Sequence, residues 1–152
     1  MPLHVGDKAP LFELPKSFKE RVSLADFRGK KVVLVFYPYA FSGVCTPEMC
    51  GISEMASDFS SLDAEVLAIS CDPYETLLAF AKQNNLQHTL LSDFWPHGEV
   101  SKQYGVFVEK IGAADRGSFI IDREGIVAGT IMTNLGTPRH PAEYAEILKQ
   151  ID

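Results

Sequence analysis

The five residues Val32-Val33-Leu34-Val35-Phe36 restrict the possible folds more than any other stretch of this chain. A strand with one wet face alternates polar and apolar residues, and this run does not. Lys30 and Lys31 precede it and Pro38 follows, so it reads as a short strand buried on both faces. Such a strand needs elements packed above and below its sheet, and α/β sheets carry their chemistry at the carboxyl ends of the strands. Beyond Phe36 the sequence runs through Tyr37-Pro38 and a short loop to Ser42-Gly43-Val44-Cys45-Thr46-Pro47-Glu48-Met49-Cys50, with a cysteine where a helix should begin.

The rest of the chain fits that frame. Residues 11–14 and 21–24 form two possible strands of an N-terminal hairpin on the domain edge. Ile52, Met55, Phe59 and Leu62 recur at spacings of three and four, which predicts one helix over residues 47–62. A strand at 65–70 leads into Cys71-Asp72-Pro73, a cap-and-proline start for a helix over 74–84 that closes at Asn84-Asn85. A strand at 89–93 and a short helix through Val100 and Tyr104, ended by Gly105, come next. Residues 107–112 read as a loop or edge strand, and 118–122 with 126–132 as a hairpin turning at Asp122-Arg123-Glu124-Gly125. An amphipathic helix over 141–151 closes the chain. The expected fold class is α/β: one domain over residues 1–152, with a central mixed sheet and helices on both faces.

A length of 152 residues suffices to bury a core without staples. The net charge of −6 argues against nucleic acid or an anionic membrane as partner, since both require a basic surface. No apolar run approaches the roughly 18 residues of a membrane span. The first residues, Met-Pro-Leu-His-Val-Gly-Asp-Lys, lack a basic segment leading into an apolar one, so the expected location is the cytoplasm. Three cysteines with no C-x-x-C make neither a disulfide scaffold nor a dithiol motif, leaving catalysis, redox sensing or inert burial. His4, His88, His97 and His140 show no ligand spacing, and no glycine-rich phosphate loop occurs, so neither a metal nor an organic cofactor is expected.

The chemistry concentrates between Pro38 and Cys50. A free thiol has a pKa near 8.5, and a nucleophilic cysteine needs its thiolate stabilised. A helix N-terminus offers unpaired backbone N–H groups and about half a positive charge. Pro47 belongs in a first turn, which puts Cys45 in or just before it. Ser42, three residues earlier, can turn its hydroxyl toward the sulfur or a bound oxygen.

The pattern Pro38-x-x-x-Ser42-x-x-Cys45 resembles the P-x-x-x-(T/S)-x-x-C motif of the peroxiredoxins, and the likeness extends over nearly the whole chain. It includes Phe94-Trp95-Pro96-His97-Gly98 with Tyr104-Gly105-Val106, most similar to the alkyl hydroperoxide reductase E group. Cys45-Thr46-Pro47-Glu48-Met49-Cys50 is more similar to the bacterioferritin comigratory protein, or Q-type, group. Arg116-Gly117-Ser118 before an apolar strand completes it. The resemblance implies a thioredoxin-like fold and reduction of hydrogen peroxide, organic hydroperoxides and peroxynitrite. Cys45 would be the peroxidatic nucleophile, oxidised to a sulfenic acid; Ser42 and the Cys45 N–H would hold the peroxide. Arg116 would favour the thiolate and the leaving oxygen, Pro38 would close the pocket, and Glu48 would orient the arginine. Two positions depart from the usual pattern: Ser42 replaces the commoner threonine, and Leu11 stands where an aspartate usually follows Ala-Pro.

The Q-type resemblance assigns the resolving role to Cys50. On an ideal helix Cys45 and Cys50 would lie about 140° apart with Cα atoms roughly 8.7 Å apart, beyond the ~7 Å a disulfide tolerates, so a bridge requires the first turns to unwind. A plain hydrophobic role for Cys50, with an external thiol completing a one-cysteine cycle, stays open, and Cys71 reads as a quiet buried thiol. Recycling would fall to a thioredoxin, a glutaredoxin-like protein or mycoredoxin. A peroxide sensor or holdase using the same cysteine is the second reading, separated from an enzyme by turnover. Tyr39, Phe41 and Trp95 are candidate contacts of a homodimer.

Overall fold

The computed structural model describes residues 2–152. A hairpin of β1 (Glu13–Pro15) and β2 (Arg21–Ser23) opens the chain and a single 3-10 turn follows at Leu24–Phe27. The central sheet has five strands: β3 (Lys31–Phe36), β4 (Ala64–Ser70), β5 (Thr89–Ser92), β8 (Gly117–Ile121) and β9 (Val127–Met132). Their order is β5-β4-β3-β8-β9, with β3, β4 and β5 parallel and β8 antiparallel to both β3 and β9. Helices α1 (Cys45–Glu54) and α2 (Ala56–Ser61) connect β3 to β4, α3 (Tyr74–Asn84) connects β4 to β5, α4 (Glu99–Gln103) follows β5, and α5 (Pro141–Lys149) ends the chain. A two-stranded ribbon of β6 (Phe107–Val108) and β7 (Ala113–Ala114) precedes β8.

All six residues of β3 are buried, and the five from Val32 to Phe36 form the unbroken apolar run that a strand in the middle of a sheet requires. Side chains alternate between two cores. Val32, Leu34 and Phe36 join the N-terminal hairpin and α4 on one face, while Val33, Val35 and Tyr37 meet α1, α2, α3 and α5 on the other. Helices therefore cover both faces unequally: four on one, and one short helix with a hairpin on the other. Lys31, at the start of β3, is buried and its Nζ donates to the Leu148 carbonyl, 3.1 Å away, at the end of α5.

The expected single helix over 47–62 is two helices. It begins earlier, at Cys45, and breaks at Met55, whose N–H tightens onto Ile52 O at 3.1 Å. Ile52, Met55, Phe59 and Leu62 still face the same core across the break, which is why the periodicity shows no interruption. The ribbon strand β7 was not expected: two alanines carry no strand signal, and their pairing comes from Phe107 and Val108 opposite them. Among the described residues no helix is long and apolar enough to cross a membrane.

Candidate active site

β3 ends where its ladder does. The Tyr37 N–H still donates to Ile69 O at 3.1 Å, and Pro38 has no N–H to continue. The loop that follows is anchored by Asp72, whose Oδ2 accepts from Ala40 N at 2.9 Å and Ser70 Oγ at 2.7 Å. Asp72 thus does not cap α3. Pro73 itself occupies the N-cap position in extended conformation, with no side-chain cap, and the carboxylate is turned to the loop instead.

Cys45 is the first residue of α1 and is fully buried. Ser42 serves as the remote cap of that helix. Its Oγ accepts from Cys45 N at 3.3 Å and donates to Tyr39 O at 2.9 Å, while its carbonyl accepts from Thr46 N at 3.1 Å and Thr46 Oγ1 at 2.8 Å. The hydroxyl proton and the Cys45 N–H are both engaged, the latter in a long bond.

Arg116 sits one residue before β8, 2% exposed, and every arm of its fork is used. Nη2 lies 3.0 Å from Cys45 Sγ, Nη1 donates to Glu48 Oε1 at 2.7 Å, and Nε donates to Leu135 O at 2.8 Å. Glu48, one turn along α1 from Cys45, also receives a second arginine. Arg139 donates to it from N (2.7 Å), Nε (2.9 Å) and Nη2 (2.9 Å), and its Nη1 reaches Ser118 Oγ at 2.9 Å, itself paired with Tyr144 OH at 2.6 Å. Burial alone would raise the Glu48 carboxyl, but hydrogen bonds and charge from Arg139, with charge from Arg116, outweigh it and hold the group below the usual carboxylate range. The cluster therefore contains two permanent cations and one carboxylate, all buried. One positive charge is left over, beside the sulfur.

A pocket of about 310 Å³ opens over this cluster, lined by Pro38, Ser42, Val44, Ile111, Arg116 and Leu135 among others. The structure brings Pro38, Ser42, Cys45, Glu48 and Arg116 together. It does not bring Cys50 to them: that residue is half-buried on the continuous helix α1, its Sγ 3.9 Å from Asn84 Oδ1 at the end of α3. Cys71 lies apart as well, 6% exposed, its Sγ 4.0 Å from Ser101 Oγ. Burial, then the nearby carboxylate of Asp93, pushes that thiol up to about 12.

Arg139 and Tyr144 had no sequence signal strong enough to single them out, and Ser118 was named only as part of the segment after Arg116. The one hint is Pro138 and Pro141 around Arg139, which stiffen the segment that delivers it.

Comparison with known proteins gives the family and the fold. The model of the AhpC/TSA family matches residues 5–130. Alkyl hydroperoxide reductase E of Mycobacterium tuberculosis is 42% identical over 147 residues, covering 96% of each chain. A putative peroxiredoxin bcp of Coxiella burnetii is 40% identical over 134 residues, covering 84% of this chain and 87% of that protein. Among solved structures, Enterococcus faecalis AhpC superposes with a TM-score of 0.89 at 30% identity, covering 99% of this chain and 92% of the other. Peroxidoxin BcpB from Mycobacterium tuberculosis gives 0.86 at 30%, covering 97% of each.

Proposed function

This chain belongs to the AhpC/TSA family and is a thiol peroxidase of thioredoxin-like fold; from that premise we propose that Cys45 is its peroxide-reacting nucleophile and that Cys50 resolves the product. The observation that carries the first part is the Arg116 Nη2 contact of 3.0 Å to a fully buried Cys45 Sγ, within a cluster one negative charge short of neutrality.

The Cys45 thiolate attacks the terminal oxygen of a hydroperoxide, an S–O bond forming as the O–O bond breaks. The electron pair departs on the second oxygen, which takes a proton from solvent to leave as water or alcohol. Cys45 becomes a sulfenic acid. Ser42 turns its O–H from Tyr39 O to the peroxide, and the weakly held Cys45 N–H is shared with the same oxygen. Arg116 follows the charge from sulfur to the departing oxygen, and Glu48 keeps its fork aimed. Pro38 shields the pocket from water.

For the second part, Cys50 Sγ attacks the sulfenic sulfur, a disulfide forms and water leaves. Helix α1 must open for this. The cap at its start, Cys45 N to Ser42 Oγ, is long at 3.3 Å, and Gly51 lies in its interior, at a cost of about 1 kcal/mol relative to alanine. A dithiol redoxin of thioredoxin, glutaredoxin or mycoredoxin type then reduces the disulfide. A one-cysteine cycle with an external thiol is the second reading, favoured by the contact of Cys50 with Asn84 on the far side of an intact helix. Self-association through Tyr39, Phe41 and Trp95 is part of the same proposal, since all three are exposed, Trp95 at 80%.

Stopped-flow mixing of reduced protein with hydrogen peroxide, followed by steady-state turnover with a thioredoxin system, tests the assignment. Cys50→Ser should keep the first oxidation and lose turnover. Undiminished turnover in Cys50→Ser would replace the internal disulfide by the external thiol.

A further inference from the structure

A second cavity, of about 380 Å³, lies at the opposite end of β3 from Pro38. That volume is within the roughly 300–1,000 Å³ of small-molecule sites. Its floor is apolar: Leu24 and Phe27 from the 3-10 turn, and Val32 and Ile121, which face each other across β3 and β8. Its walls are fixed rather than loose. Ala9 N donates to Gly125 O at 3.0 Å, Leu24 N to Phe12 O at 3.0 Å, and Tyr104 OH to Pro10 O at 2.6 Å.

The rim is cationic. Lys8, Arg28 and Lys30 line it, and Asp122 is its one carboxylate. Lys30 already pairs with Glu65 at 3.3 Å, and Asp122 Oδ1 accepts the N–H groups of Glu124 and Ile126 at 2.9 and 3.0 Å. Among the described residues Lys8 and Arg28 make no ion pair. Arg28 lies against the β8–β9 turn, its Nη2 3.5 Å from where a Cβ at Gly125 would be. Leu11 adds an apolar side chain, 57% exposed, at the mouth.

We propose that this cavity binds a medium-chain aliphatic carboxylate, its head group between Lys8 and Arg28 and its tail over Leu24, Phe27, Val32 and Ile121. An apolar floor selects the tail, and two unpaired cations at the edge select one anionic head. The site stands apart from Cys45 and does not depend on the peroxidase reading.

Titration of the full chain with decanoate, followed by calorimetry and amide NMR shifts, tests this. Saturable one-to-one binding is expected, with shifts confined to residues 8–11, 24–32 and 121–125. Octanoate should bind about tenfold more weakly, two methylenes being lost. The double variant Lys8→Gln/Arg28→Gln should weaken decanoate by about tenfold or more, leave decanol binding and peroxide consumption unchanged, and be imitated by Leu11→Asp. Absence of saturation below the micelle-forming concentration would overturn the proposal. So would shifts centred on Pro38 and Leu135, or decanol binding as tightly as decanoate.

Discussion

Cys45 and Cys71 occupy similar places and face opposite surroundings. Each is buried and each comes shortly after the end of a parallel strand, β3 for one and β4 for the other. Cys45 sits on a helix start with a guanidinium 3.0 Å from its sulfur; Cys71 has no such cation among the described residues, and burial, then the carboxylates of Asp93 and Asp72, push its thiol up. At Cys71 burial is the largest of these effects. On the proposed assignment, what separates the nucleophile from the other buried thiol is the sign of the charge beside it.

The largest test of that contrast is deletion of each sulfur. Cys45→Ser should abolish peroxide reduction, whereas Cys71→Ser should leave the rate constant with hydrogen peroxide within about twofold of the parent. Removing the cation comes next. Arg116→Met should slow the first oxidation by about a hundredfold to a thousandfold, the usual cost of losing one preorganised donor to a developing charge, with Cys45 still the residue oxidised.

Glu48→Gln sharpens the comparison further, because it separates charge from aim. It leaves two buried guanidiniums without their carboxylate, so folding stability in urea should drop by about 3 kcal/mol. The first oxidation should slow by about tenfold as Arg116 loses its orientation. A faster oxidation would show that excess positive charge, not the aim of the fork, limits the reaction.

The smallest effect belongs to Cys71. Its folded-state pKa is raised, so the neutral thiol stabilises the fold below the ordinary thiol range, and that contribution is lost as pH climbs from about 9 to about 12. Across that window the unfolded chain releases a proton that the folded chain keeps. Cys71→Ala should therefore flatten the alkaline decline in stability, with little consequence at neutral pH. An unchanged slope would mean that the Cys71 thiol ionises as readily in the fold as outside it.

The sequence made the cysteine end of this contrast legible and left most of its partners hidden. Val32 to Phe36 could only be a central strand, and Pro38, Ser42 and Pro47 bracketed Cys45 closely enough to put it at a helix start. Arg116 and Glu48 were reached through resemblance, not through spacing, since they lie 68 residues apart. Arg139 was missed for the same reason: only the folded chain brings it 91 residues back to Glu48. Asp72 looked like a helix cap because short-range rules favour that reading, yet a tertiary partner, Ala40 N, won it. Asp93 is the reverse case. It reads as the end of a strand, and its carboxylate accepts the N–H groups of Val100 and Ser101 at 3.1 and 2.8 Å, capping α4 across a loop. The break at Met55 left no trace because both halves of the helix bury the same face.

The most direct measurement is a single turnover of fully reduced protein with one equivalent of hydrogen peroxide, quenched and examined by intact mass and peptide mapping. The predicted product is oxidised at Cys45, recovered as a Cys45–Cys50 disulfide lighter by two hydrogens, with Cys71 still a free thiol. Oxygen or a crosslink first appearing on Cys71, with Cys45 unmodified, would contradict the account at its centre.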